Sequence, residues 1–131
     1  MKRLLLIFSL LLATAFHLSA QEDDDADESI RDKMGEYIQK KLGLSSDEAK
    51  KFQPTFVQYF KDWRSAIRDN RGDVLKRKQA VADVQVRYRD RFKGIIGEQK
   101  SNQVFNHQRD FINQLREEVK DRRRDNNRRR N

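Results

Sequence analysis

The chain has 131 residues, of which 38% are charged and 36% hydrophobic, with 29 Lys and Arg against 21 Asp and Glu. This length suits one domain of ordinary size and leaves no room for a multidomain enzyme. The absence of cysteine excludes disulfides, thiolate metal sites and cysteine nucleophiles, and two histidines give little material for metal or general-base chemistry. The composition therefore predicts a protein that is not an enzyme and that has no catalytic, cofactor or metal site.

The first twenty residues have the layout of a secretory signal peptide. Lys2 and Arg3 precede an apolar stretch over residues 4–12 that only Ser9 interrupts, and small residues surround an expected cleavage site after Ala20. The apolar run is shorter than the roughly 20 residues that span a bilayer, which argues against a membrane anchor. No cysteine follows the cleavage site, so a bacterial lipid anchor is excluded. The expected location is the periplasm.

Charge is distributed unevenly along the rest of the chain. Residues 21–28 contain six acidic residues, whereas residues 122–131 contain six arginines and one aspartate. These compositions predict an acidic disordered segment over 21–28 and a poorly ordered basic tail over 121–131, on either side of a helical domain over 29–120. An alternative is that the acidic segment folds back over a basic surface and competes with partners.

The first half of that domain contains two predicted amphipathic helices. The first, about 29–42, ends at Gly43 and has apolar residues at steps of four: Ile30, Met34, Ile38 and Leu42. The second begins at a capping box of Ser45 and Glu48, with Leu44 packing against Ala49. Pro54 should kink or split this helix. Its apolar stripe is Ala49, Phe52, Phe56, Phe60, Trp63 and Ile67, with Tyr59 beside it.

Two more helices are predicted after a turn at 69–73. The third, about 74–93, aligns Val74, Val81, Val84, Tyr88 and Phe92, with Ile95 next in phase. Gly94 and Gly97 are expected to mark a break between the third and fourth helices. The fourth starts near 98 and continues past Val119, with a stripe of Phe105, Gln108, Ile112, Leu115 and Val119 flanked by Val104 and Phe111. Leu, Ile, Val and Phe make up only 23 of the 111 residues after position 20. This predicts a thin, all-α antiparallel four-helix arrangement completed by homodimerisation.

The most informative candidate surface is on the second helix. Basic side chains flank its aromatic stripe and surround Val57, as expected of a face that binds amphipathic, acidic or unfolded chains. The candidate client-binding residues are Lys50, Val57, Lys61, Arg64 and Arg68, with Arg87 and Arg91 from the third helix. A solvated basic face explains the same charges. Nucleic acid is not expected as a partner in an exported protein, and His107 is expected to be a half-buried packing residue.

Two short segments resemble the Leu-Thr-x-x-Gln motif of the Spy/CpxP family of small periplasmic helical proteins. Residues 44–48 fit it with Ser45 for Thr and Glu48 for Gln, and residues 96–100 keep the apolar Ile96 and the pair Glu98-Gln99 without the hydroxyl cap. The resemblance implies a curved, antiparallel, all-α dimer with a basic concave face. It also implies ATP-independent binding of unfolded envelope proteins, although some relatives restrain a sensor kinase or regulate the release of a sigma factor.

Three functions therefore follow as expectations. The first is a periplasmic chaperone that holds unfolded or partly folded envelope proteins. The second is a signalling adaptor that binds a membrane sensor for envelope stress. The third is a protein that binds anionic lipid through its C-terminal tail.

Overall fold

The computed structural model describes residues 25–130, and all of its secondary structure in that range is helical. Helix α1 includes residues 25–42, α2 is Ser46–Asp69, α3 is Val74–Ile96 and α4 is Glu98–Arg130. The prediction of an all-α, four-helix arrangement is confirmed. The signal peptide predicted over residues 1–20 lies outside the described residues. Curvature and homodimerisation stay predictions.

The chain divides into two compact units between Lys33 and Met34. The described part of the first unit, residues 25–33, is a helical segment. The second unit contains the rest of α1 and the whole of α2, α3 and α4, and the packing described below lies within it.

The link between α1 and α2 is set by local hydrogen bonds that the sequence predicted. Gly43 has a φ of 60°, and its N–H donates to the Lys40 carbonyl (3.2 Å) while the Leu44 N–H donates to the Gln39 carbonyl (3.1 Å), which is a Schellman motif. Ser45 then caps α2, because its Oγ accepts from the Glu48 N–H (3.2 Å) and the Glu48 Oε1 accepts from the Ser45 N–H (3.1 Å). The predicted end of α1 and the capping box are both confirmed.

The α3 and α4 helices are joined through a single residue, and the predicted break at Gly94 is wrong. Gly94 lies inside α3, which continues to Ile96. Gly97, with a φ of 85°, ends α3 by donating its N–H to the Lys93 carbonyl (3.1 Å). Its own carbonyl accepts from the Ser101 N–H (3.0 Å) and so starts α4. Only the glycine with the left-handed φ breaks the helix, since helical φ values are open to any residue.

The helix α2 is not split at Pro54, so of the two predicted outcomes, a kink or a split, the split does not occur. Pro54 and Lys50 are both exposed, and the helix runs without interruption from Ser46 to Asp69. The Lys50 carbonyl, which loses its helical donor, lies on the solvent side, where water can hydrogen-bond to it.

The core of the second unit is aromatic, and Tyr59 of α2 is at its centre. Tyr59 is fully buried, and its ring centroid lies 5.5 Å from Tyr88 and 6.1 Å from Phe92, both of α3, and 5.4 Å from Phe105 of α4. A second contact between α2 and α3 joins Phe52 to Phe92, 4.9 Å apart. Because residue numbers rise along α2 as they fall along α3, these two helices are antiparallel.

Helix α1 contacts both α2 and α4. Gln39 of α1 donates through Nε2 to Gln53 Oε1 of α2 (2.7 Å), and Tyr37 packs on Phe111 of α4 with centroids 5.6 Å apart. Side chains alone join α2 to α4, and each pair runs forward along both helices. These pairs are Glu48 with Lys100 (3.3 Å) and Tyr59 with Gln108. The α2 and α4 helices are therefore parallel to each other.

Burial confirms half of the residues predicted for the apolar stripes; ten of the others are half-buried, and Val74 and Val119 are exposed. Val74 is 53% exposed, because it starts α3 beyond the end of the aromatic core. Ile96 is buried in place of the predicted Ile95, which is half-buried, since α3 keeps its steps of four from Tyr88 and Phe92. Val119 is 42% exposed. The buried members of the predicted stripes are Met34, Ile38, Leu42, Phe52, Phe56, Tyr59, Phe60, Val84, Tyr88, Phe92, Val104 and Gln108.

Both predicted disordered ends are helical where the structure describes them. Residues 25–28 belong to α1, and residues 121–130 continue α4 with every side chain exposed. Arginine is a good helix former, and Arg128, Arg129 and Arg130 complement the negative end of the helix dipole. The prediction of disorder considered charge density alone and did not consider helix propensity or the helix dipole.

Candidate binding surfaces

Five of the predicted client-binding residues share the outward side of α2. They are Lys50, Val57, Lys61, Arg64 and Arg68, and we call them the α2 basic face. Its four cationic side chains are exposed and Val57 is half-buried. Helical spacing places them away from the buried side of Phe52 and Tyr59, so α2 separates its charge from its core. The face offers positive charge with very little apolar area.

The other two predicted residues lie elsewhere, on the exposed side of the contact between α2 and α3. The guanidinium groups of Arg87 and Arg91 lie 5.5 Å and 4.7 Å from the ring centroid of Tyr88. Arg87 also pairs with Asp62 (3.2 Å), whose Oδ2 accepts a hydrogen bond from the Tyr88 hydroxyl (2.6 Å). Burial and the Asp62 carboxylate raise the pKa of Tyr88. Asp62 partly offsets the charge of Arg87, and Arg91 lies over the Tyr88 ring. The two arginines are therefore separate from the α2 basic face.

An open groove lies between α2, α3 and α4, and sequence reasoning did not find it. Its volume is about 430 Å³. We call it the Trp63 groove. Its apolar lining comes from Trp63, Phe105 and Ile112, all half-buried, and Arg109 and Arg116 are exposed at its side. The remaining lining residues are Gln85, Gln108 and Asn113.

The groove forms where the aromatic packing of the core stops. The Trp63 ring contacts Phe60 within α2, with centroids 5.5 Å apart. Of the α3 side chains, Gln85 lines the groove, and its amide donates to the Tyr59 hydroxyl (3.4 Å). The sequence gives no clear signal of the groove, because the apolar stripe of α3 also continues here with Val81 and Val84.

A buried polar network lies beside the groove. The Tyr59 hydroxyl donates to Gln108 Oε1 and accepts from Gln85 Nε2 (3.4 Å). Burial raises the pKa of Tyr59, so the phenol stays neutral and able to donate. Among the described residues Gln108 Nε2 has no hydrogen-bond partner although it is buried. The network fixes the side chains below the Trp63 groove.

The residues of the two motif-like segments have structural roles at helix starts. Glu48 completes the capping box and also pairs with Lys100 of α4, and these contacts, the Ser45 N–H first, lower its pKa. In the second segment Ile96 is buried, while Glu98 lies 3.8 Å from Lys93. Leu44 is half-buried and Gln99 exposed.

His107 is half-buried, with its Nδ1 3.8 Å from Asp110 Oδ2. Over residues 25–130, no three His, Asp or Glu side chains come together in a way that could hold a metal ion. A second depression, of about 290 Å³ between α3 and α4, is lined by polar and charged side chains, among them Lys93 and Glu98.

No helix in the described part of the chain is both long and apolar enough to cross a membrane.

Comparison with known proteins adds no relative. No family model, no curated protein and no solved structure matches the chain. Membership of the Spy/CpxP family therefore stays a prediction that rests on the two short segments.

Proposed function

We propose that this protein is a non-catalytic, ATP-independent chaperone of the periplasm that holds unfolded or aggregation-prone envelope proteins. The observation that carries the proposal is the Trp63 groove. It is an open, partly apolar surface with arginines at its side. Such a surface can bind short apolar segments of many sequences, which is what a holding chaperone requires.

The α2 basic face supplies the second component, which is electrostatic capture. Exposed positive charges raise the rate of encounter with acidic or unfolded chains, and salt screens this effect. The groove then contributes a modest apolar contact. Because only a few half-buried side chains line it, binding is weak enough for a client to leave without ATP.

The first experiment measures aggregation of a chemically denatured protein, without ATP, with and without the purified protein at low and moderate salt. We expect protection at equimolar ratios that moderate salt weakens. Ile112→Ser should reduce protection because it removes an apolar side chain from the groove. Leu75→Ser is the matched control, since Leu75 is 78% exposed at the start of α3 and does not line the groove. Equal effects of the two variants would contradict the proposal.

A charge-reversal variant tests the capture step separately. Lys61→Glu, Arg64→Glu and Arg68→Glu together should weaken protection, most at low salt, without lowering helicity by circular dichroism, because all three side chains are exposed. Unchanged protection would remove the α2 basic face from the mechanism. Absence of protection at either salt, together with one tight membrane-protein partner, would favour the signalling adaptor. Vesicle binding that is lost on deleting residues 122–131 would favour the lipid-binding function.

A further inference from the structure

Four arginines of α4 are spaced seven residues apart along one side of the helix. They are Arg109, Arg116, Arg123 and Arg130, and we call them the arginine line. Seven residues are close to two helical turns, so successive members lie roughly 10 Å apart on nearly the same side. All four side chains are exposed, and the first two line the Trp63 groove. The line therefore starts at the groove and continues along the helix to its end.

A second line with the same spacing runs beside it. Phe105, Ile112 and Val119 are also seven residues apart; Phe105 and Ile112 line the groove and Val119 is 42% exposed. Helical geometry places this apolar line next to the arginine line, because the two are offset by four residues. Both lines continue past the groove, and every residue from Arg116 to Arg130 is exposed.

The acidic residues of α4 after its first turn lie away from the arginine line: Asp110 and Glu117 are roughly a quarter turn from it, and the others are on the opposite side. Two of them pair with basic side chains other than those of the line: Lys120 lies 2.8 Å from Glu117, and Arg124 lies 3.6 Å from Asp121. In the described chain, Arg116, Arg123 and Arg130 have no carboxylate within salt-bridge distance, and Arg109 hydrogen-bonds only to the amide of Asn106 (2.6 Å). The arginine line thus keeps its charge available to a partner.

We propose that the groove and the two lines bind an amphipathic helix that carries acidic residues at heptad spacing beside an apolar stripe. This inference rests on the proposed function and names the class of client segment. A helix laid along α4 would place apolar side chains on Phe105, Ile112 and Val119, and its acidic flank would face the arginine line. Matching of apolar seams and flanking charges at seven-residue intervals is how helices select one another.

The apolar line beside the arginine line favours an amphipathic helix over a nucleic acid as the occupant. A flexible polyanion would use the arginines on every side of α4, including Arg124 and Arg128, which lie on the side of the acidic residues. An acidic helix would use the arginine line alone. The two occupants are therefore distinguished by which arginine substitutions weaken binding.

The test uses a fluorescent synthetic peptide of four heptads with Leu in the apolar positions and Glu on one flank. The control peptide has Lys in place of Glu. Anisotropy should show saturable binding of the acidic peptide to the purified protein. Arg123→Glu with Arg130→Glu should weaken it roughly tenfold, since two attractive pairs become repulsive. The matched variant, Arg124→Glu with Arg128→Glu, changes net charge equally and should weaken it less than about twofold.

Equal weakening by both pairs of substitutions, or equal binding of the two peptides, would overturn the proposal. A preference for a single-stranded oligonucleotide over the acidic peptide would overturn it as well and favour a polyanion. The aggregation assay separates this proposal from the proposed function. Protection of denatured proteins without binding of the acidic peptide would refute the helix and leave the chaperone. Binding along the arginine line without protection would refute the chaperone and leave the helix site.

Discussion

Replacing Tyr59 with Phe tests whether the buried network below the Trp63 groove stabilises the second unit. The substitution keeps the ring and its contacts with Tyr88, Phe92 and Phe105 but removes the hydroxyl that donates to Gln108. The Gln108 amide, whose Nε2 already has no partner in the described chain, would then be buried with neither of its polar atoms bonded. An unsatisfied buried polar group costs about 1–3 kcal/mol, and we expect about 2 kcal/mol here.

Two further variants make the expectation specific. Tyr59→Phe combined with Gln108→Leu replaces both partners by apolar groups, so it should recover most of the lost stability rather than add to the loss. Tyr37→Phe is the control, because the Tyr37 hydroxyl accepts from Gln114 Nε2 (3.1 Å) at an exposed site and should matter by less than about 0.5 kcal/mol. Urea unfolding followed by circular dichroism gives the free energies of the original protein, Tyr59→Phe, Gln108→Leu, the double variant and Tyr37→Phe. If the double variant loses the sum of both single losses, or Tyr59→Phe behaves like Tyr37→Phe, the reasoning is refuted.

Three other outcomes follow from the structure. Gly43→Ala should lower the free energy of unfolding by about 1 kcal/mol because of its left-handed φ, whereas Gly94→Ala, inside α3, should leave it equal or higher in the same urea experiment. Glu48 has a lowered pKa in the folded protein, so its contribution is present above its ordinary value of 4.5 and is lost as pH falls through the lowered pKa. Glu48→Gln should therefore flatten the dependence of stability on pH below about 4.5; an unchanged slope would contradict this. Deleting residues 121–131 should reduce helical signal in proportion to length without moving the unfolding midpoint, because the described side chains there are exposed.

Features that depend on a few neighbouring residues could be predicted from the sequence. The capping box of Ser45 and Glu48 is set by hydrogen bonds within one turn, and the stop at Gly43 by one backbone torsion. The stripe of Tyr88 and Phe92 was predicted because steps of four define one side of any helix. Local geometry of this kind needs no knowledge of the partner helix.

Features that depend on which helices face one another could not be predicted in the same way. Trp63 and Ile112 have the spacing of core residues, yet both are half-buried and line a groove to which α3 contributes Gln85. The sequence named Arg87 as a client-binding candidate but gave no sign of its pairing with Asp62, which depends on the antiparallel register of α2 and α3. Charge alone also misjudged residues 121–130, whose helix propensity extends α4.

The most direct test of the central claim uses Trp63, which is the only tryptophan of the chain and lines the groove. Its emission should shift to shorter wavelength, saturably and with weaker affinity at higher salt, when a denatured protein without tryptophan is added. Ile112→Ser should weaken that response, and Leu75→Ser should not. Protection from aggregation with no change in Trp63 emission would contradict the account, because clients would then bind somewhere other than the groove.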